Sequence, residues 1–316
     1  MLALIVRRLL LSVVTLTIVA VVVFATTELL PGDWATAYFG REATPQRLER
    51  LRAELGLDRP ATERFASWFG RALRGDLGSS LARKEPVLGL IASRLQKTLL
   101  LGGVAGLVSI PLALALGIIA GLTRGRRADV AISTISLIGM SLPEFVVGTV
   151  LIFVLSITLQ IFPALTVVRA DTSFVDFLPN IVLPAATLTI VWVAYILRMV
   201  RTTMIDVLAS EYVEMATLKG IPRARVVLRH ALPNALLPTI NAIALMLAAL
   251  LGGVVVIETV FNYPGVGLLL VTAIRNRDVP LIQGIAITIA VMYVTINLVA
   301  DLLTTSLDPR LRSLRG

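Results

Sequence analysis

Two carboxylates stand out, Glu144 in "SLPEFVVG", inside an apolar run, and Glu258, which follows another apolar run at what reads as its outer end, before "NYPGVG". A carboxylate inside a hydrophobic run is a candidate for binding a cation or a substrate amine. The 24 residues "EYVEMATLKGIPRARVVLRHALPN" (211–234) are the most polar stretch between two long apolar blocks. Their content is acids, arginines, one glycine and two prolines. The chain has one histidine, His230, and no cysteine. That excludes a multi-histidine metal centre, a disulfide framework and a thiolate nucleophile. No GxxxxGK[ST] phosphate loop occurs, so the chemistry expected is recognition rather than nucleotide hydrolysis.

The elements that must position these groups are membrane helices. The chain is 316 residues long, 57% hydrophobic and only 16% charged, with a mean hydropathy of +0.88. Soluble domains carry about a quarter charged residues. Six apolar segments stand out, near 9–29, 97–122, 130–161, 179–200, 234–257 and 280–303. Each meets the ~20 residues needed to cross ~30 Å of hydrocarbon. The reading is an all-α polytopic protein with six transmembrane helices. The third segment is overlong and contains Pro143, so it is expected to kink or to begin as a surface helix. On that second reading Glu144 lies at the interface. On the first it lines a pathway. The first segment follows Arg7 and Arg8 and is read as an uncleaved span rather than a signal peptide.

The net charge of +9 does not point to nucleic acid, because much of it lies in short loops beside apolar segments. Arg7 and Arg8, then Arg124, Arg126 and Arg127, then Arg198 through Arg229, then Arg310, Arg312 and Arg315 fall on one side. The opposite short loops carry only Arg169, Arg275 and Arg277. The positive-inside rule puts both termini and the 201–233 loop in the cytoplasm. Residues 30–95 then form an extracytoplasmic segment with two amphipathic helices. Thr44-Pro45 starts the first, and Phe65, Trp68, Phe69 and Leu73 share one face of the second. The segment either lies at the membrane surface or is a docking platform.

Within 201–233 the pattern predicts helix, turn, helix. Residues 203–219 are helix-compatible, with Ser210 a possible restart. Gly220 ends the helix, because glycine adopts the left-handed conformation cheaply. Ile221-Pro222 turns the chain and "RARVVLRHAL" begins a second helix. After the fifth span, Pro264, Gly265 and Gly267 suit an ordered turn or a re-entrant hairpin beside Glu258. Arg275, Arg277 and Asp278 are expected outside, pairing with one another or meeting a docked protein. Asn297 and Asp301 sit four apart on one face of the sixth segment, as polar contacts between helices. His230 reads as a solvated residue or a pH or metal sensor.

The spacing Glu214-Met215-Ala216-x3-Gly220-x9-His230-Ala231-Leu232-Pro233 resembles the EAA loop of bacterial ABC importer permeases, E-A-A-x3-G-x9-I-x-L-P. Met215 and His230 depart from it. "LLPGD", "GLDRP", "RGDLGSSL", "RHALPNALLP", "ETVFNYPGVGLLL", "NRDVPLIQG" and "LDPR" resemble, in this order, the dipeptide/oligopeptide/nickel branch of that family. The resemblance covers nearly the whole chain. It implies a type I importer permease in the bacterial inner membrane. Its parts would be an N-terminal span (1–29), the outer segment (30–95), a permease domain (96–304) and a cytoplasmic tail (305–316). It implies a second homologous permease as heterodimer partner, two cytoplasmic ATPase subunits that carry ATP and Mg, and an extracytoplasmic binding protein. The chain itself would bind no cofactor or metal. Glu211, Glu214, Ala216, Gly220, Pro222, Arg225, Leu232 and Pro233 would couple it to the ATPase. Glu144, Glu258, Pro264, Gly265 and Gly267 would belong to the pathway or external gate. Short peptides are the substrate implied, with nickel, glutathione or oligosaccharides as alternatives in the same branch. An ion-coupled secondary transporter is the reading outside it.

Overall fold

The structure is a computed structural model and describes residues 2–29, 44–54, 56, 58–167, 174–236, 239–240, 243 and 251–307. The helices are α1 (Leu2–Leu29), α2 (Pro45–Glu54), α3 (Ala61–Ala72), α4 (Val87–Leu122), α5 (Arg127–Ser141) and α6 (Glu144–Leu151), which continues as a π-helix over Ile152–Thr158. Then come α7 (Phe174–Leu208), α8 (Glu211–Leu218), the short α9 (Arg223–Arg225) with a π-helix over Val226–Ala231, α10 (Leu251–Val260), α11 (Val266–Arg275) and α12 (Val279–Leu307). Among the described residues four helical stretches are long and apolar enough to cross a membrane: Val6–Leu29, Val87–Leu122, Phe177–Leu208 and Val279–Val299. The bent pair Arg127–Ser141 and Glu144–Thr158 makes a fifth if it is one span. Much of the expected 234–257 span lies outside the described residues.

The third apolar segment is not one rod. Its two halves meet at 102°. Leu142 is extended, at φ −93 and ψ 129, the conformation a following proline favours. Pro143 lacks an N–H to continue the helix and instead precedes the first residue of the next one. Glu144 therefore opens a helix and is half-buried. Proline does not break the helix everywhere. Pro111 lies inside α4, and Pro179 and Pro184 inside α7.

The described chain divides into two compact units, one of residues 1–98 and 264–294, the other of 99–263 and 295–316. In the second unit the core gathers around α7, with Leu188, Trp192, Ile196, Val200 and Met204 buried. Glycines on α4 let that face come close. A Cβ at Gly117 would lie 2.6 Å from the Cβ of Val200 and 2.9 Å from the carbonyl oxygen of Leu197. One at Gly121 would lie 2.6 Å from the Cβ of Met204. Small residues four apart make this approach possible, as in membrane helix pairs generally. Helix α5 is fastened to α7 by polar contacts. The Ser136 hydroxyl donates to the Ala194 carbonyl at 2.7 Å. Arg201 donates to Asp129 through Nε at 2.5 Å and Nη2 at 2.9 Å.

In the first unit the amino end of α4 packs on α11 and α12 through Val87, Ile91, Leu269, Ala273, Leu281 and Ile285. A Cβ at Gly284 would fall 2.5 Å from Val87 Cγ1, so that crossing also needs glycine. Helix α3 lies on α1. Phe24 meets Phe65 edge-on, with ring centroids 5.2 Å apart, and Arg64 pairs with Glu28. Trp68 is buried and Phe69 half-buried on this face, as the amphipathic pattern predicts. Leu73, read as part of that face, is the residue that ends the helix and is exposed.

The expectation for Asp278 is corrected. It is fully buried, not outward beside Arg275 and Arg277. Its carboxylate accepts the Ser80 hydroxyl at 2.5 Å and the amides of Leu81 at 3.1 Å and Ala82 at 3.2 Å. It also accepts the amide of Leu281 at 3.4 Å in the first turn of α12. Asp278 is thus a helix cap that recruits a distant loop, and its charge is spent on N–H and O–H donors.

Candidate functional site

The polar stretch at 209–236 folds as the expected helix, turn and helix. Helix α7 ends at Leu208, two residues before Ser210. Ser210 stands at the N-cap position of α8, but its hydroxyl donates back to the Val207 carbonyl rather than capping α8. The helix-compatible stretch 203–219 is thus interrupted at 209–210 and restarts after Ser210, the restart point the sequence offers. Helix α8 ends at Leu218 with Lys219 as its C-cap, and Gly220 has φ +73. That left-handed conformation costs an L-residue about 1–2 kcal/mol. Pro222 then precedes α9, where a missing N–H is harmless.

This knob has a small core of its own. Val213 and Ala216 of α8 pack with Val226 and Ala231 of the second helix, against Val207, Leu208 and Ile221. Ala216 faces inward, holding the two helices together, and Leu232 is half-buried. The opposite side is open. Glu211, Glu214, Gly220, Pro222, Arg225 and Pro233 are exposed. So are three large apolar side chains of α8, Tyr212, Met215 and Leu218 at 41, 56 and 76%. Exposed apolar residues rimmed by charge mark surfaces made for a partner. The sequence reading names the acids and arginines here, meets Met215 only as a departure from the EAA pattern, and gives no role to Tyr212 or Leu218. Their spacing of three is the signal that would have found them.

The second candidate group divides. Glu144 packs on α10: a Cβ at Gly253 would fall 2.6 Å from the Glu144 carboxyl carbon. The glycine makes room for the carboxylate. Glu258 does not follow the span at an outer surface. It lies inside α10 and is fully buried. The Tyr263 amide donates to its backbone carbonyl at 2.8 Å. The phenol ring of Tyr263 packs at 5.8 Å from Phe177. Pro264, Gly265 and Gly267 are buried, Gly265 at the start of α11 and Gly267 within it. The Val266 amide donates to the Thr98 hydroxyl at 2.9 Å. These residues form an ordered turn into a helix, and Glu144 is not brought to them by any described contact.

The Asp129–Arg201 pair was missed entirely. Asp129 is 3% exposed and accepts from Arg201, from the Gly125 amide at 2.8 Å and from the Ser133 hydroxyl at 3.1 Å. It holds the loop before α5 to the final turns of α7, which lead into the knob.

The chain matches the family described as binding-protein-dependent transport system inner membrane component over residues 113–313, and the N-terminal part of such membrane components over residues 1–102. It is 37% identical to a probable peptide ABC transporter permease protein of Sinorhizobium fredii, over 98% of both chains. It is 36% identical to a putative peptide transport system permease protein of Brucella abortus, over 99% of both. It is 38% identical to a glutathione transport system permease protein of Escherichia coli, again over 99% of both. The fold is similar to a crystal structure of an amino acid ABC transporter with histidines, with a TM-score of 0.52 at 15% identity, covering 70% of this chain and 94% of that one. The chain belongs to the binding-protein-dependent transport system inner membrane components, the membrane permeases of ABC transporters.

Proposed function

We propose that this chain is one permease subunit of an ATP-driven importer of short peptides. The observation that carries the reading is the knob at 209–236, with its own core on one side and an open face of Tyr212, Met215 and Leu218 on the other. Such a face suits a cleft on a cytoplasmic ATPase, and the knob is continuous with α7 through two residues. A push on it would be carried along 35 residues of helix. The chain then spans the membrane six times with both termini in the cytoplasm and pairs with a second, homologous permease. Two ATPase subunits hydrolyse ATP for it, and a binding protein outside delivers the substrate. Residues 1–29, 30–95, 96–304 and 305–316 serve as first span, outer segment, permease domain and tail. Peptides are favoured by the relatives from Sinorhizobium and Brucella; the relative from Escherichia coli supports glutathione as the second reading.

The test is uptake into proteoliposomes holding the complex with its co-purified partners, using a labelled dipeptide and labelled glutathione in separate runs. ATP-dependent accumulation of the dipeptide is the expected result. Accumulation of glutathione alone would move the substrate to the second reading. Uptake that ignores ATP and follows an ion gradient would overturn the importer.

A further inference from the structure

The first unit holds a cavity of ≈ 600 Å³ that the coupling and pathway residues do not touch. Its walls come from α1, Ala53 of α2, Gly56 and Arg59 between α2 and α3, α3 itself, the 77–81 loop and the start of α12. The volume falls in the ~300–1,000 Å³ range of small-molecule sites. Four kinds of group line it. Arg59 and Arg71 are exposed, and neither guanidinium makes an ion pair or side-chain hydrogen bond among the described residues; Arg64 is committed to Glu28. The Glu63 carboxylate likewise makes no ion pair or side-chain hydrogen bond among the described residues. Gln283 is 5% exposed, and its amide nitrogen donates to the Thr27 hydroxyl at 2.9 Å. Its Oε1 accepts no hydrogen bond among the described residues. The apolar part of the wall is Phe24, Trp68 and Pro280.

We infer that this cavity is a binding site for a small zwitterion with an apolar or aromatic body. Guanidinium groups are matched to a carboxylate, which they bind bidentately. Glu63 and the Gln283 oxygen are acceptors for an ammonium group, which is donor-only. The aromatic and proline surfaces take the apolar body. A bare phosphate or a lipid headgroup phosphate would satisfy the arginines and meet repulsion from the acid. The cavity chemistry by itself gives the zwitterion. Its identity as a short peptide rests on the import function proposed above, in which case the site holds substrate at the end of α1 and the start of α12.

The test is isothermal titration of the full chain with its co-purified partners in lipid nanodiscs, without a binding protein. The probes are alanyl-phenylalanine, its C-terminal amide, its N-acetyl derivative and inorganic phosphate. The dipeptide is expected to bind one to one. The amide and the acetyl derivative should each bind at least tenfold more weakly, and Arg59→Gln and Arg71→Gln should each cost at least tenfold for the dipeptide. Glu63→Gln should weaken the dipeptide while leaving the acetyl derivative unchanged. All three positions are exposed, so the variants keep the fold. Absent binding, binding insensitive to all three variants, or equal binding of phosphate overturns the inference. The uptake assay separates the two proposals: peptide uptake without this binding removes only the site, and binding without peptide uptake removes only the substrate assigned to the importer.

Discussion

Arg201 holds Asp129 with two parallel hydrogen bonds, Nε to Oδ1 at 2.5 Å and Nη2 to Oδ2 at 2.9 Å. The carboxylate is nearly inaccessible, and two further donors complete its shell. Breaking such a pair leaves a buried charge uncompensated, at a cost of about 3 kcal/mol. Arg201→Ala is expected to lower the melting temperature of the detergent-solubilised chain. Asp129→Asn combined with Arg201→Gln should cost less than the sum of the single changes. A fully additive double variant would show that the contact contributes nothing.

The approach of α4 to α7 makes a second prediction. Gly117→Val must displace Val200 or the Leu197 carbonyl, which lie under 3 Å from the new Cβ. Overpacking of this kind costs about 1–3 kcal/mol. Gly103→Ala on the same helix meets nothing within 4 Å and should be neutral or stabilise by up to ~1 kcal/mol, the helix-propensity difference. Thermal unfolding of both variants checks the contrast.

Gly220 offers a third. Its φ of +73 tolerates asparagine better than a β-branched residue. Gly220→Val is expected to leave membrane insertion intact and to abolish stimulation of ATP hydrolysis by the reconstituted complex. Gly220→Asn should retain most of it. Equal activity of the two variants would rule out a strict need for the turn.

The surface of α8 makes a fourth. Met215→Glu with Leu218→Glu changes two side chains that the knob's core does not use. The chain should stay as stable as before and lose co-purification of its ATPase partners. Partners retained at wild-type yield would move the docking surface elsewhere.

The Asp278 cap makes a fifth. Asp278→Ala strands the Ser80 hydroxyl and the Leu81 and Ala82 amides, and a buried unsatisfied donor costs about 1–3 kcal/mol. Hydrogen exchange at residues 80–84 should rise in this variant before exchange in α7 changes.

The features legible in the sequence were those made by neighbours along the chain. Pro143 breaks a helix because of its own ring, and Gly220 turns the chain because it lacks a Cβ. The apolar lengths of α1, α4, α7 and α12 are likewise local. Asp129 and Arg201 are 72 residues apart, so their pairing depends on which faces of α5 and α7 meet. The glycines of α4 matter only because Val200 and Met204 oppose them. Asp278 stands beside two arginines in sequence and read as one of an exposed charged group. It is buried because Ser80, 198 residues away, supplies the donor that makes burial tolerable. Glu258 misled for a related reason: helix α10 runs two residues past it, so it belongs to the interior and not to the turn.

The knob's division of labour bears on how such a transporter diversifies. Val213, Ala216, Val226 and Ala231 carry its shape, while Tyr212, Met215 and Leu218 take no part in that core. Mutations on the outer side can accumulate without unfolding the adaptor. If the knob seats on the ATPase as proposed, a duplicated gene could acquire a different motor by drift at these few exposed positions.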